Sequence, residues 1–136
     1  MLFKRKQSSS MEKEIFEQAE VLENLLKTHV NDNNYILFDI PTDISKIVFV
    51  ASGSSYHCAR FSADLFGNIA GMEARAIYSS EFLLKSAVPH DDDILYVFIT
   101  QSGETSDTNQ ALKKAKEFGM RTLCITNKKD LSLIHI

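Results

Sequence analysis

The 136-residue chain has little of what marks several protein classes. It contains no tryptophan, only two prolines and only two cysteines, and its formal net charge is −3 at pH 7. Cys58 and Cys124 lie far apart, which excludes a disulfide framework and a C-x-x-C motif. The acidic balance removes the electrostatic case for a nucleic-acid partner. No apolar run approaches the ~18 residues that a membrane span needs, so we expect no membrane partner.

The remaining composition is that of a single globular domain. Hydrophobic residues make up 44% and charged residues 24% of the chain, which supplies enough apolar surface for a core. Residues 1–10 lack the apolar segment of a secretory signal, and we expect them to form a flexible tail. Cys58 falls early in a helical pattern and Cys124 inside an apolar strand pattern, which predicts buried thiols in a reducing, cytoplasmic environment.

Apolar periodicity predicts an N-terminal helix followed by an alternation of strands and helices. Helical spacing runs from Met11 to about Lys27, with Ser10 as a candidate N-cap, and residues 28–34 complete the connection to residues 35–130. The predicted strands are 46–51, 74–78, 94–100 and 122–126, and the predicted helices between them are 55–70, 80–87 and 105–118. The expected inward positions are Ala59, Ala63, Phe66, Ala70, Ala111, Ala115 and Phe118, with Gly71 and Gly119 ending two of the helices.

Strands that alternate with helices indicate an α/β fold with a parallel sheet, because the crossover connections place helices on both faces. Ligands of such sheets bind beyond the carboxyl ends of the strands. The loop after strand 46–51 and the loop after strand 94–100 would meet there if the strand order is 2-1-3-4.

These two loops are rich in hydroxyl groups and contain neither lysine nor arginine. Each lies between a strand and the N-terminus of a helix, where unpaired backbone N–H groups and the helix dipole favour a phosphate. Neither loop carries the G-x-G-x-x-G or Gly-Lys-Ser/Thr pattern of a nucleotide site. We therefore expect a phosphate site, with Ser102 as a candidate N-cap of the helix 105–118. The candidate binding residues are Ser52, Gly53, Ser54, Ser55, Thr100, Gln101, Ser102 and Thr105.

The sequence gives no reason to assign a catalytic residue, a metal or a cofactor. We expect Glu104 to interact with the dipole in the first turn of a helix, and His57 to lie on the surface. The three consecutive carboxylates at 91–93 point in different directions on an extended loop, which favours a solvated loop over a metal site.

Residues 50–56 and 99–108 resemble the two signature loops of the sugar isomerase (SIS) domain family. Residues 11–18 are similar to the helix that opens the isomerase half of the glutamine–fructose-6-phosphate aminotransferases, and the Ser-Glu-Phe segment at 80–82 matches a further family segment. The resemblance implies a flavodoxin-like, three-layer sandwich. It also implies binding of a sugar 6-phosphate, fructose 6-phosphate or glucosamine 6-phosphate, by the loops named above, and a homodimer in the full-length protein.

The chain departs from the aminotransferases in several places. It has no N-terminal Met-Cys-Gly of a glutaminase, and it ends before the last strand and before the second SIS domain that supplies the base and the lysines. Residues 131–136 read like a translated sequencing adapter, so we expect them to be non-native. Ser52 and Ser54 stand where the aminotransferases often have Cys and Thr.

Other functions within the family therefore remain open. One is a glutaminase-free enzyme, such as an amino-sugar-phosphate deaminase, a deglycase or a ketose–aldose isomerase. Another is a non-catalytic sugar-phosphate sensor. A fragment of an aminotransferase that makes glucosamine 6-phosphate is the leading hypothesis.

We predict that these 136 residues alone turn over no substrate, because the loop hydroxyls, the backbone amides and Gln101 do not titrate near neutral pH and so cannot transfer a proton as a general acid or base. An isomerisation assay with fructose 6-phosphate, with and without ammonia, measures this. Activity that disappears in His57→Ala or Glu104→Gln would contradict the prediction.

Overall fold

The computed structural model describes residues 9–30, 41–85, 88–89 and 91–127. The chain divides into two compact units, residues 1–41 and 42–136. The predicted non-native tail at 131–136, nearly all of the predicted flexible tail and most of the predicted connection lie outside the described residues. None of the helices in the described ranges is long and apolar enough to cross a bilayer.

The first unit contains the predicted N-terminal helix, α1, at Ser10–His29. Its N-cap is Ser9 and not Ser10, because Ser9 has an extended backbone and its hydroxyl accepts a hydrogen bond from the Glu12 N–H at 3.2 Å. Glu23 and Lys27 form an i,i+4 ion pair on the helix surface. The predicted helix is therefore confirmed and its predicted cap is wrong by one residue.

The second unit is a four-stranded parallel sheet with the strand order β2-β1-β3-β4, which confirms the predicted α/β fold and order. The strands and helices follow the predicted alternation to within a few residues at each end. The strands are β1 Lys46–Ala51, β2 Glu73–Tyr78, β3 Ile94–Thr100 and β4 Arg121–Thr126, and the helices are α2 Ser54–Ile69, α3 Ser79–Leu84 and α4 Ser106–Glu117.

A separate apolar cluster packs on each face of the sheet, so that the unit has three layers. On one face, Ala59 and Ala63 bring α2 against side chains of β1 and β3 such as Phe49 and Val97. On the other face lie α3 and α4, with Phe82 fully buried against the sheet. The central strands are buried on both sides, which explains their continuous apolar runs.

The predictions that Phe118 and Ala70 point inward are wrong. Phe118 is 55% exposed and Ala70 is also exposed. These residues are the C-caps of α4 and α2, where the chain leaves the helical path, so that helical periodicity no longer sets the direction of the side chain. Phe66 keeps a tilted contact with the Phe49 ring at 5.8 Å but remains 37% exposed. The glycines predicted to follow these caps, Gly71 and Gly119, do so with positive φ.

Lys114 on α4 fixes α3 in place. Its ammonium group donates hydrogen bonds to the carbonyls of Leu83 at 3.0 Å and Lys85 at 2.7 Å, which are last-turn carbonyls without helical partners. The same ammonium lies 5.8 Å from the centre of the Phe82 ring. Because α3 begins directly after β2, this contact also sets the position of the chain at the carboxyl end of β2.

The prediction that both cysteines are buried is wrong for one of them. Cys58 is exposed on α2, whereas Cys124 on β4 is partly buried. Cys58 lies one residue before the inward-facing Ala59, and successive helical residues point about 100° apart, so its thiol faces outward. Burial raises the pKa of the Cys124 thiol.

We predict that a thiol-specific colorimetric reagent labels Cys58 faster than Cys124 at pH 7–8, because Cys58 is exposed, whereas burial shields the Cys124 thiol and raises its pKa. Stopped-flow absorbance should show two phases. Cys58→Ser should remove the fast phase and Cys124→Ser the slow one; equal rates at the two sites would contradict the structure.

Candidate functional site

The register of the sheet brings the two hydroxyl-rich loops to the same edge. β1 and β3 are parallel neighbours, and Ala51 pairs with Ile99 at their carboxyl ends. Residues 52–53 then lead into α2, and residues 101–105 lead into α4. The predicted convergence of the loops is therefore present, with two helix N-termini at one edge of the sheet.

The first loop turns at Gly53, whose φ of 57° and ψ of −136° are rarely adopted by residues with a side chain. A Cβ atom there would meet nothing within 4 Å, so glycine is required by the backbone and not by a lack of space. Ser54 is exposed at the first position of α2, whereas Ser52 and Ser55 are partly buried. In the first turn, the Tyr56 N–H donates to the Gly53 carbonyl at 3.1 Å, whereas the helix supplies no acceptor for the N–H groups of Ser54 and Ser55.

The second loop is folded by its own side chains. Thr100 is buried, and its hydroxyl accepts a hydrogen bond from the Gly103 N–H at 3.2 Å. The amide of Asn109 donates to the Gly103 carbonyl at 2.9 Å, and the Ser102 hydroxyl accepts from the Glu104 N–H at 3.2 Å. These bonds are all made within the protein, and they restrict the conformation of the loop.

The start of α4 differs from the prediction. Its N-cap is Thr105, with an extended backbone, and not Ser102. Ser102 lies four residues before the helix, and its hydroxyl accepts from the loop N–H of Glu104. Glu104 therefore precedes the cap, and the acidic residue in the first turn is Asp107. The loop hydrogen bonds of Thr100 and Asn109 delay the helix, which periodicity alone does not reveal.

The predicted binding residues fall into two groups. Gly53, Ser54, Gln101 and Ser102 are exposed, and Ser52, Ser55 and Thr105 are partly buried, so all seven lie at the surface of the two loops. Thr100 is different because its hydroxyl is directed into the loop and already accepts a hydrogen bond. In the structure, the Thr100 hydroxyl shapes the loop.

Two further hydroxyl groups at this edge were not predicted as part of the site. Ser79, the first residue of α3, is fully buried, and its Oγ lies 2.9 Å from Oγ1 of Thr108, which is 2% exposed. Thr108 also donates to the Ser52 hydroxyl at 3.4 Å. A signal was present in the sequence: Thr108 is a polar residue three positions before Ala111, on the inward face of the helix, and buried polar groups need partners.

Aromatic side chains flank the first loop. The rings of Tyr56 on α2 and Tyr78 at the end of β2 stack with centroids 3.6 Å apart and an interplanar angle of 18°. The exposed His57 meets Tyr56 edge-on at 6.2 Å, in agreement with the expected surface position of that histidine. The stack thus holds the ring of Tyr56, the residue after Ser55, against Tyr78.

The site is characterised by its hydrogen-bonding groups and by the location of the shifted pKa values relative to it. Among the described residues, the groups with shifted pKa values lie away from the loops: burial raises the pKa of Tyr96 and Cys124, and a hydrogen bond from Arg121 lowers the pKa of Asp43. The loops present backbone N–H groups, hydroxyls and the Gln101 amide. Such donors recognise an anion without a fixed cation.

A protein-family model described as the SIS domain matches residues 42–135, which include both loops. The chain belongs to the SIS domain family. Over 130 residues it is 36% identical to the glutamine–fructose-6-phosphate aminotransferase (isomerizing) of Campylobacter jejuni, a match that covers 93% of this chain and 22% of that protein. The chain spans about a fifth of the length of the curated relatives it matches.

Solved structures share the SIS domain fold. The C-terminal domain of glucosamine-fructose-6-phosphate aminotransferase from Francisella tularensis has a TM-score of 0.80 and 29% identity, covering 95% of this chain and 37% of that one. A glucosamine-6-phosphate deaminase from Thermotoga maritima has a TM-score of 0.74 at 23% identity, covering 93% of this chain and 38% of that one. This SIS domain is thus similar to the isomerase domain of the aminotransferases.

We predict that Thr100→Val destabilises the SIS domain by about 1–3 kcal/mol, because it leaves the buried Gly103 N–H without an acceptor. Urea unfolding gives the free energy, and hydrogen exchange should show weaker protection of the Gly103 amide. Thr122→Val on β4 is the matched control, since its side chain makes no hydrogen bond with the described residues. Equal stability of both variants and an unchanged Gly103 amide would contradict this role of Thr100.

Proposed function

We propose that this SIS domain binds the phosphate group of a sugar 6-phosphate, fructose 6-phosphate or glucosamine 6-phosphate, between loops 52–55 and 100–105. The observation that supports this proposal most directly is the pairing of Ala51 with Ile99, which places two hydroxyl-rich loops and two helix N-termini side by side. A phosphate between them would accept hydrogen bonds from both loops at once.

The physical case rests on the charge of the ligand. A phosphate ester carries close to two negative charges at neutral pH, and each helix N-terminus contributes about half a positive charge. Hydroxyls of Ser54, Ser55, Ser102 and Thr105 would rotate to donate to the phosphate oxygens. Hydrogen bonds to charged groups are stronger than neutral ones, so a site without lysine or arginine suffices.

We propose further that the domain belongs to an aminotransferase that makes glucosamine 6-phosphate from fructose 6-phosphate. The names of the Campylobacter jejuni and Francisella tularensis proteins support this substrate class. In this proposal, the domain anchors the phosphate, so that binding energy at one end of the sugar orients the reacting carbons at the other. The base that moves the proton between those carbons would come from outside the two loops.

We also propose that the intact protein is a cytoplasmic homodimer. Its free cysteines suit a reducing compartment. Large apolar side chains on α1 and α2 are exposed in the described units, among them Phe16 at 80%, Phe61 at 65% and Ile69 at 79%. Exposed apolar side chains on each unit favour contact with another chain.

We predict that Ser54→Ala weakens the binding of fructose 6-phosphate about tenfold or more, because a lost hydrogen bond to a charged group is worth roughly 1.5–3 kcal/mol. Ser54 is exposed at the start of α2, and its side chain makes no hydrogen bond with the described residues, so the fold should not change. Ser62→Ala, the same substitution two turns later on α2, is the control and should bind like the unaltered chain. Isothermal titration calorimetry measures all three.

Ser102→Ala should weaken binding to a similar extent through the second loop. Titration with fructose in place of fructose 6-phosphate isolates the contribution of the phosphate. Equal affinity for the two sugars would remove the phosphate assignment, and an effect of Ser62→Ala as large as that of Ser54→Ala would show that the site lies elsewhere.

A further inference from the structure

Three hydroxyl groups from three segments form a chain that ends at the candidate site. Ser79 begins α3, Thr108 lies in the first turn of α4, and Ser52 opens the first loop. The oxygen atoms of Ser79 and Thr108 are 2.9 Å apart, and Thr108 donates to Ser52 across 3.4 Å. Ser79 and Thr108 are buried, at 0% and 2% exposure, whereas Ser52 is partly exposed.

The direction of the protons along this chain follows from the role of Thr108 as donor to Ser52. A threonine hydroxyl has one proton, and Thr108 gives it to Ser52. The bond between Ser79 and Thr108 must therefore use the proton of Ser79. Ser52 accepts from Thr108, so its own proton is free to point outward, toward a ligand atom that accepts hydrogen bonds.

The surrounding structure keeps the three groups in place. Ala51 and Tyr78 are paired at the ends of neighbouring strands, so Ser52 and Ser79 directly follow those two ends. Lys114 holds α3 against α4 from the far end of α3. The chain of hydroxyls is thus supported by the sheet on one side and by the helix pair on the other.

An apolar pair would fill the same buried volume without the desolvation that two hydroxyls require, and replacing both partners of a hydrogen bond by apolar groups can be nearly neutral. Stability alone therefore does not require a serine opposite a threonine at this position. Hydrogen bonds in a chain also polarise one another, which strengthens the last donor.

We propose that Ser79 and Thr108 are positioning residues that orient the Ser52 hydroxyl as a hydrogen-bond donor toward the bound sugar phosphate. This inference rests on the proposed function of the loops. It assigns a role in ligand binding to two buried residues that touch no ligand themselves.

The test is a double-mutant cycle on the affinity for fructose 6-phosphate, measured by calorimetry with the intact protein. Thr108→Val keeps the shape of the side chain and removes the hydroxyl, and we expect about fivefold weaker binding, as for one neutral hydrogen bond. Thr108→Ser restores the hydroxyl and should bind within about twofold of the unaltered protein. With Ser52→Ala already present, Thr108→Val should cause no further loss.

Several outcomes would overturn the proposal. Unchanged affinity in Thr108→Val would show that the hydroxyl chain does not act on the ligand. A fivefold loss that persists in the Ser52→Ala background, or that Thr108→Ser fails to rescue, would assign Thr108 to packing. If Thr108→Val does not fold, Ser79→Ala takes its place in the cycle with the same expectations. If the unaltered protein does not bind fructose 6-phosphate, the proposed function itself is overturned, and with it the proposed role of Ser79 and Thr108.

Discussion

The pairing of β1 with β3 is the constraint on which the site depends. Both strands are buried on both faces, and their register runs from Lys46 opposite Ile94 to Ala51 opposite Ile99. A slip of one residue would move one loop by about 3.3 Å and exchange the two faces of the strand. The two apolar clusters therefore fix the relative position of the loops, and the geometry of the site is a consequence of core packing.

Hydroxyl groups at this edge divide into those that build the site and those that a ligand could reach. Thr100, Thr108 and Ser79 are buried, and each makes a hydrogen bond within the protein. Ser54 and Ser102 are exposed on the loops. A preformed loop has less conformational entropy to lose when it binds, which favours recognition of a small anion.

Membership of the SIS domain family is compatible with the proposal that this domain anchors the phosphate while groups outside the two loops transfer the proton. The aminotransferase relatives are about five times longer than this chain, so the loops described here represent one part of a larger enzyme in those proteins. Anchoring a phosphate needs donors held at fixed positions, which loops on a rigid sheet provide. Proton transfer needs titratable groups near the reacting carbons, and it is physically separable from anchoring.

The sequence alone determined the alternation of strands and helices and the two loops, and it offered the strand order only as the one in which the loops would meet. Continuous apolar runs marked Lys46–Ala51 and Ile94–Thr100 because strands buried on both faces leave no polar position, and Gly119 marked a helix end through its backbone freedom. Only the tertiary structure decided that Cys58 is exposed and that Thr108 meets Ser79. Periodicity gives the spacing of side chains along one element, whereas burial and hydrogen bonding depend on which element packs against it, and that is settled when the helices meet the sheet.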